Sequence, residues 1–477
     1  MKDQPPASTM TLPGEPDVNF LRRWRVALLV SAAIAISYLD RQTLPWAIQA
    51  IQADIPFGYQ IKADLDSAFL VTYGLMYLGG GLLLDRLGTR RGFLVIMIFW
   101  SLACASHGLA GGVLALAACR LLLGAGEGGG FPAATRAVAE WFPVTDRATA
   151  MGIINAGTAV GAVVAPLLIA GIITNVHWLG LASWRWVFFL TGTLGLLWTL
   201  WWWRSYFAPE NPRAEEVVNK NDASPSAPFS QDAPTLSPSP RQTRRGLGVR
   251  SVPSNSAQGE GGLPSNSAPR ISLRRLLRHR ETWAVVAAKF LSDAAWYFYL
   301  FWLPKYLFDT YHLDIKVAGS IGWIPYAASG VGCLVGGGFS SWLLRRGLSV
   351  NASRKLALGA SAALMPWVIF APQVHSVAAA IFLFSLAFFG QQSWSTLVMI
   401  LPTDMIPKSA LGALAGLVGL GGAMGGVVLG QIVGWLRDHH YSYTPALVIA
   451  GSLHLAAFLL ICLMIPKIQP LSFPTPT

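Results

Sequence analysis

The stretch that organises this chain is Gly81-Leu-Leu-Leu-Asp85-Arg86-Leu-Gly88-Thr-Arg90-Arg91-Gly92, which lies between two long apolar runs. Glycine tolerates the backbone conformations of tight turns and lets neighbouring helices approach closely. The acid at position 85 can pair with one of the nearby arginines. The string therefore predicts a short charged turn between two membrane-spanning helices.

The composition is that of a membrane protein. The 477 residues are 53% hydrophobic and 12% charged, whereas an ordinary soluble protein is about a quarter charged. At about 20 apolar residues per crossing, this length accommodates roughly twelve helices and one longer loop. The net charge is +12, and the basic residues lie between apolar segments and concentrate on alternate loops. This distribution indicates orientation in the membrane and argues against a nucleic-acid partner.

Apolar runs separated by polar breaks predict two sets of six helices. The first set covers residues 26–48, 66–84, 92–110, 113–133, 147–174 and 184–206, and the second covers 283–307, 317–344, 354–372, 376–401, 409–435 and 443–466. Each run is long enough to span a bilayer. We therefore expect one six-helix bundle at 25–207 and another at 282–467.

The remaining segments are polar. Residues 208–270 are rich in Pro, Ser, Asn and Gly, so we expect a disordered cytoplasmic linker, because such a stretch buries too little apolar surface to offset its ordering entropy. A disordered cytoplasmic N-terminus is expected at 1–24 and a cytoplasmic tail at 468–477. Residues 271–281 mix leucine with arginine, which predicts either a basic helix at the lipid interface or a basic flank that only orients the chain.

Lysine and arginine concentrate on alternate connections: before the first span, after the second, around the loop after the fourth, and after the eighth. By the positive-inside rule this places both termini and the linker in the cytoplasm, with the protein in a bacterial-type inner membrane.

The second half contains a related string, Gly336-Gly-Gly-Phe-Ser-Ser-Trp342-Leu-Leu-Arg345-Arg346-Gly347. Its glycines and arginines persist, but Trp342 stands where the first string has its acid. The pattern indicates an internal repeat whose two charged turns are not equivalent.

The string at 81–92 resembles the loop motif of the major facilitator superfamily. That resemblance implies an all-α membrane protein with twelve transmembrane helices in two pseudo-symmetric six-helix bundles, working by alternating access. It also implies a conformational latch on the cytoplasmic side, made of Gly81, Asp85, Arg86, Gly88 and Arg90. The alternative is a charged turn that merely follows the positive-inside rule.

Four ionisable residues lie within predicted spans: Asp40 and Arg41 in the first, Arg120 and Glu127 in the fourth. Each charge at the bilayer centre costs roughly 2.5–3.5 kcal/mol on insertion scales, so these side chains must face a cavity or one another. Arg120 and Glu127 are two helical turns apart and share a face. A buried salt-bridge network that only fixes packing is one interpretation.

The functional interpretation gives these residues two tasks. Arg41, and with it Arg120, binds the carboxylate of an anionic substrate, because guanidinium is permanently charged and presents a bidentate fork. Asp40 and Glu127 carry protons, since a carboxylate that loses its arginine partner to the substrate gains a proton more readily. Proton and anion then bind together, as in a symporter.

Tyr38-x-Asp40-Arg41 and the pair Arg120 and Glu127 resemble the anion:cation symporter family within that superfamily. The resemblance implies that these residues, with Tyr73, bind substrate and couple protons. The segments beginning at Asn155 and at Lys289 are similar to hexuronate transporters, although Gln391 and Leu397 stand where that branch is expected to have His and Asn.

The seventh and tenth predicted helices, together with polar residues of the fifth, make sense as a sugar-binding wall. Aromatic faces at Trp296 and Trp394, and also at Tyr297, Tyr299 and Trp302, suit a pyranose ring, and Asn155, Thr158 and Gln391 offer partners for hydroxyl groups. Packing and interfacial anchoring are the alternative roles for such aromatic residues. Lys289 and Asp293, four positions apart, can simply pair with each other.

These features predict proton-coupled uptake of a sugar acid, first a hexuronate such as glucuronate or galacturonate, and alternatively an aldonate, an aldarate or another organic anion. Exchange of organic anions is a second alternative. The eight histidines show no metal or catalytic spacing and mostly fall near span ends, so an enzyme is not expected. We expect no metal and no cofactor beyond the proton gradient. The expected partners are the anion, protons and membrane lipid, and the expected state is a monomer.

Overall fold

The computed structural model describes residues 18–142, 146–206, 273–406 and 411–471. The described residues are helical, joined by short connections. The predictions for residues 1–17, for the linker at 208–270 and for residues 472–477 lie outside the described residues.

Thirteen helices are described, and we number them in chain order. The first bundle contains α1 (Val18–Asp54), α2 (Tyr59–Ser106), α3 (Val113–Glu127), α4 (Gly130–Trp141), α5 (Arg147–Asn175) and α6 (Ser183–Ser205); then follow α7 (Leu273–Leu276), α8 (Arg280–Tyr311), α9 (Ile315–Arg345), α10 (Val350–Ala363), α11 (Val377–Met405), α12 (Leu411–Asp438) and α13 (Thr444–Met464). A 3₁₀ segment, Met365–Gln373, continues the path of α10.

Nine helical stretches of the described chain are long and apolar enough to cross a membrane. One of them, Tyr59–Leu109, has 51 residues and at 1.5 Å per residue is far too long for a single crossing of a core about 30 Å thick. α1 and α6 cross as well, although charged residues in α1 and tryptophans in α6 lower their hydropathy. With two crossings in α2, the described residues form twelve transmembrane helices in two pseudo-symmetric six-helix bundles.

The two arms of α2 meet at Gly88, whose φ of 71° and ψ of 167° interrupt an otherwise helical backbone. A left-handed φ of this size favours glycine, which confirms the turn predicted from the charged string. The predicted helix at 113–133 is divided differently. α3 ends at Glu127 and α4 begins at Gly130, because the glycine run from 128 to 130 weakens helix formation there.

Three predicted boundaries are wrong in detail. α1 begins at Val18, so residues 18–24 are helical and not disordered. The helix expected at 271–281 is a single turn, Leu273–Leu276, whose Leu276 is buried in the second bundle. Residues 468–471 belong to the folded second bundle, since the Ile468 amide donates to the Asn351 side chain (3.1 Å) and the Leu471 amide to the Met405 carbonyl (2.8 Å).

Small residues let helices of the same bundle pack backbone to backbone. A Cβ at Gly161 of α5 would lie 2.0 Å from the carbonyl oxygen of Ala35 in α1, and one at Gly157 would lie 2.3 Å from that of Ser31. In the second bundle, a Cβ at Gly425 of α12 would lie 1.9 Å from the carbonyl oxygen of Phe290 in α8. The fifth span of each bundle therefore packs closely on the first span of the same bundle, α5 on α1 and α12 on α8, as an internal repeat requires.

The bundles contact each other through α2 against α12 and through α5 against α9. At the distal end, which we define as the end opposite the start of α1, the contact is polar. The Tyr59 hydroxyl donates to Asp309 (3.0 Å), and Asp438 accepts from the backbone amides of Tyr59 (2.9 Å) and Gln60 (3.0 Å). These bonds hold the distal ends of the bundles together.

The packing of α5 on α1 predicts that Gly161→Ala destabilises the protein. A methyl group 2.0 Å from a carbonyl oxygen forces the helices apart, at a cost of about 1–3 kcal/mol. Melting of purified protein in detergent should show a clearly lower Tm. Gly171→Ala in the same helix is the matched control, because its Cβ meets nothing within 4 Å. Equal melting of both variants would contradict the close packing.

Candidate functional site

A buried ion pair joins α1 to α3. The Arg41 Nε donates to Glu127 Oε2 at 2.7 Å, and the Ser37 hydroxyl donates to the same oxygen at 2.7 Å. The side chains of Arg41 and Glu127 are 2% and 0% exposed. The two charges compensate each other, which is how such groups are tolerated inside a membrane protein.

Two tyrosines flank this arginine. The Arg41 guanidinium carbon lies 4.7 Å from the ring centroid of Tyr38 and 4.4 Å from that of Tyr73. Aromatic faces attract a cation most strongly where water is excluded. The structure therefore brings together Tyr38, Arg41, Tyr73 and Glu127, four of the predicted site residues.

Asp40 does not join this group. Successive helical residues point about 100° apart, and Asp40 faces the interior of the first bundle, beside Trp100, Cys104 and Thr191. It is fully buried, and neither carboxylate oxygen makes a hydrogen bond of ordinary geometry within the described residues. The two acids predicted to carry protons thus occupy different environments.

Arg120 pairs with a residue that the sequence did not single out. Its Nη2 lies 3.5 Å from Asp66 Oδ1, and its Nε donates to the Leu65 carbonyl at 3.3 Å. Asp66 also accepts from Lys62 Nζ at 2.6 Å. Arg120 and Glu127 are both buried in the first bundle, but each has its own partner on a neighbouring helix.

One face of α2 carries these contacts. Lys62, Asp66, Phe69 and Tyr73 follow the spacing i, i+4, i+7 and i+11, which keeps side chains on one side of a helix. The Phe69 ring lies between the two arginines, with guanidinium carbons 5.6 Å (Arg41) and 4.6 Å (Arg120) from its centroid. This periodicity is visible in the sequence, but Lys62 precedes the predicted span at 66–84, so the sequence does not identify it as a site residue.

The second bundle contributes aromatic residues of α8. Trp302 lies under Lys62, with Nζ 4.1 Å from the ring centroid, and Phe301 faces Arg120 at 5.8 Å. Trp296 points instead toward Phe388 of its own bundle, 5.5 Å between centroids. Trp302 therefore meets the charged residues of α2, whereas Trp296 packs within the second bundle.

Gln391 and Trp394 lie inside the second bundle. Gln391 is hydrogen-bonded to His454 of α13, and the Trp394 ring stands edge-on to the same histidine at 5.4 Å. His454 is an exception to the location of most histidines near span ends, since it is fully buried in the middle of α13. A histidine is thus present beside Gln391, supplied by another helix.

Lys289 and Asp293 pair with each other at 2.8 Å, as their spacing of four residues allows. The Lys289 ammonium also donates to the Ser395 hydroxyl at 3.0 Å. In α5, Asn155 is exposed, and the Thr158 hydroxyl donates to the Asn155 carbonyl at 2.7 Å. The structure does not bring Asn155 or Thr158 into contact with the charged residues of α1 and α3.

The charged turn between the arms of α2 closes within the first bundle. Asp85 pairs with Arg136 of α4 at 2.7 Å, and Arg136 also pairs with Glu140 at 3.0 Å. Arg90 donates to the Trp203 carbonyl of α6 at 2.7 Å. The partner of Asp85 therefore comes from another helix and not from the arginines of its own string.

The other members of the predicted latch behave differently. Arg86 is exposed, and a Cβ at Gly81 would meet nothing within 4 Å, so close approach does not require that glycine. The second bundle has an ion pair of its own at this end, Arg354 to Asp404 at 2.9 Å. Where the second string has Trp342 in place of an acid, the second bundle thus has a different ion pair, between α10 and α11.

The described residues contain no group of three or more His, Cys, Asp or Glu that could hold a metal ion. An apolar groove of about 550 Å³ lies between α1, α5 and α6 and is lined by residues such as Leu28, Val160 and Leu197. None of the buried charged residues in the described chain lines this groove. Those residues pack against one another and against aromatic rings.

Twelve spans in two related bundles, with compensated charges buried where the bundles meet, define an integral membrane transporter. The Major Facilitator Superfamily profile matches residues 30–430, and the chain belongs to that family. It is therefore a transporter and not an enzyme.

Two relatives match along nearly their whole length. The D-galactonate transporter of Escherichia coli O6:H1 is 27% identical over 452 residues, covering 94% of this chain and 96% of that protein. The hexuronate transporter of Escherichia coli K12 is 26% identical over 418 residues, covering 87% and 88%. Among solved structures, the inward open xylose transporter XylE from E. coli has a TM-score of 0.67 at 12% identity, covering 93% of this chain and 96% of that chain.

Proposed function

We propose that this transporter carries a sugar acid anion together with protons, by alternating access, and that the substrate is a hexuronate such as glucuronate or galacturonate. The observation that carries the proposal is the buried pair of Arg41 and Glu127, with Nε and Oε2 2.7 Å apart. One member of the pair can bind a carboxylate, and the other can bind a proton.

Competition for Arg41 links the two binding events. A substrate carboxylate that pairs with the guanidinium competes with Glu127 for its positive charge and, where it accepts from Nε, displaces the acid. Glu127 then loses its counter-charge in a site that excludes water, and its protonated form becomes the favourable one. Its Oε1 is buried and has no hydrogen-bond partner in the described chain. Each ligand thus raises the affinity for the other, as thermodynamic linkage requires.

Asp40 is the second proposed proton carrier. Its carboxyl group is buried, and the described residues give it no cationic partner, so a charge there is expensive and a bound proton removes it. Because it lies apart from Arg41, we infer that it responds to movement of the helices and not to direct contact with the substrate.

The relatives support a sugar acid, since D-galactonate and hexuronates differ mainly in which end of a six-carbon chain is oxidised. An aldonate or aldarate is the alternative substrate, and organic anion exchange is the alternative mechanism. Substrate contacts are proposed at Tyr38, Arg41, Tyr73, Arg120, Asn155, Thr158, Trp296, Gln391 and Trp394. We further propose a monomer in a bacterial inner membrane, driven by the proton gradient without a cofactor.

With both termini cytoplasmic, as the basic loops indicate, the distal end faces outward. The bonds of Tyr59 and Asp438 then close the outer side, and release toward the cytoplasm follows when the inner ends of the bundles separate. The pair Asp85 and Arg136 would act at that inner side, as part of the proposed latch.

Glu127→Gln should abolish gradient-driven accumulation in proteoliposomes while some exchange of substrate for substrate persists. An amide cannot release a proton, whereas exchange needs no net proton transfer. Radiolabel uptake with and without an imposed pH gradient measures both activities. Glu281→Gln, which removes an acid at the start of α8, is the matched control and should retain both. Accumulation by Glu127→Gln at the wild-type level would refute proton coupling through this residue.

Arg41→Lys should weaken substrate binding at least tenfold, because an ammonium group keeps the charge but not the bidentate fork. Isothermal titration of purified protein with galacturonate measures the change in Kd. Arg345→Lys, at an exposed position, tests whether the same exchange matters elsewhere and should leave the Kd as it is. An unaltered Kd in Arg41→Lys would argue against carboxylate capture at Arg41.

A further inference from the structure

Lys62, Asp66 and Arg120 form a second group of buried charges. Asp66 holds both cations, with Lys62 Nζ at 2.6 Å from one carboxylate oxygen and Arg120 Nη2 at 3.5 Å from the other. The exposed fractions of the three side chains are 0%, 3% and 0%. Two cations therefore share one acid, which leaves a local excess of positive charge.

The group has hydrogen-bond donors to spare. Arg120 Nη1 is buried and finds no acceptor among the described residues. An ammonium group has three donors, and Lys62 directs one to Asp66 while facing the ring of Trp302. Uncompensated charge and unmet donors are both costly in a low-dielectric interior. An anionic group bound here would offset both costs.

This group lies within reach of a six-carbon substrate whose carboxylate is bound at Arg41. The guanidinium carbons of Arg41 and Arg120 are 5.6 and 4.6 Å from the centroid of the same Phe69 ring, so they are at most about 10 Å apart. A six-carbon chain with five bonds of about 1.5 Å spans roughly 6 Å between its end carbons, and a charge-assisted hydrogen bond of about 2.8 Å at each end extends that reach past about 10 Å. Such a chain can place one end at Arg41 and the other at Arg120 and Lys62.

We propose that Lys62 and Arg120, positioned by Asp66, form a second anion subsite that binds the distal carboxylate of a dicarboxylic sugar acid. The proposal rests on the proposed function, because it takes Arg41 as the site of the first carboxylate. It favours the alternative substrate, an aldarate, over the hexuronate proposed first, since a six-carbon aldarate fills both subsites, whereas a hexuronate or an aldonate fills only one.

Three acids of the same stereochemical series test this assignment: galacturonate and galactonate, each with one carboxylate at opposite ends, and galactarate with both. Kd by isothermal titration and KM for proteoliposome uptake are measured for each, in chloride-free buffer. The wild-type protein should bind galactarate at least tenfold more tightly than either monocarboxylate. In Lys62→Gln this ratio should fall to about one, and in Lys62→Arg, which keeps the charge, most of it should remain.

Lys316→Gln, an identical exchange at an exposed lysine of α9, is the control and should keep the wild-type ratio. Equal wild-type affinity for the three acids would overturn the subsite, as would a Lys62→Gln defect of the same size for all three. A galactarate preference that is absent in chloride-free buffer and appears only with added chloride would overturn it too. Because titration needs no gradient, a galactarate preference without any gradient-driven uptake would uphold the subsite and refute symport.

Discussion

The ion pair between Arg41 and Glu127 is the constraint on which the first bundle depends. Two charges inside a membrane protein are tolerable only while they compensate each other, and breaking such a pair by removing one member costs about 3–5 kcal/mol. Here the pair joins α1 to α3 at 2.7 Å, and the Ser37 hydroxyl donates a second hydrogen bond to the same carboxylate oxygen. In the proposed mechanism, a substrate anion breaks it without that cost, because the anion brings its own charge and a proton neutralises the acid.

α2 connects this pair to the rest of the molecule. One of its faces carries Lys62, Asp66, Phe69 and Tyr73. That face contacts Arg41 and Arg120 of the first bundle and Trp302 of α8. Its other contacts reach α12 of the second bundle and, just before the turn at Gly88, the ion pair of Asp85 with Arg136. A change in charge at the centre therefore acts on a helix that also belongs to the bundle interface and to the turn at Gly88.

Much of this arrangement could be predicted from the sequence, and there are physical reasons why the remainder could not. Hydropathy located the spans, glycine chemistry located the turn at Gly88, and the cost of intramembrane charge singled out Arg41 and Glu127. The partner of Asp85 lies 51 residues away in Arg136, and local spacing says nothing about such distances. Lys62 fell outside its predicted span, because a hydropathy boundary excludes a charged residue even when a partner four positions on allows the helix to continue.

The direction in which Asp40 points illustrates the same limit. Helical geometry separates it from Arg41 by about 100°, but only the packing of α2 and α6 decides that it faces Cys104 and Thr191. The two halves also differ in ways that a repeat alone does not predict. The second bundle replaces the pair of Asp85 and Arg136 by Arg354 and Asp404, and it buries Gln391 against His454.

The central claim is that a sugar acid and a proton bind together because they compete over one ion pair. Its most direct test is the proton stoichiometry of binding, measured with purified wild-type protein in weakly buffered detergent solution near neutral pH while galacturonate or galactarate is added. The claim predicts net uptake of about one proton for each anion bound, saturating with the binding isotherm. Binding of either acid with no proton uptake, or with proton release, would contradict it.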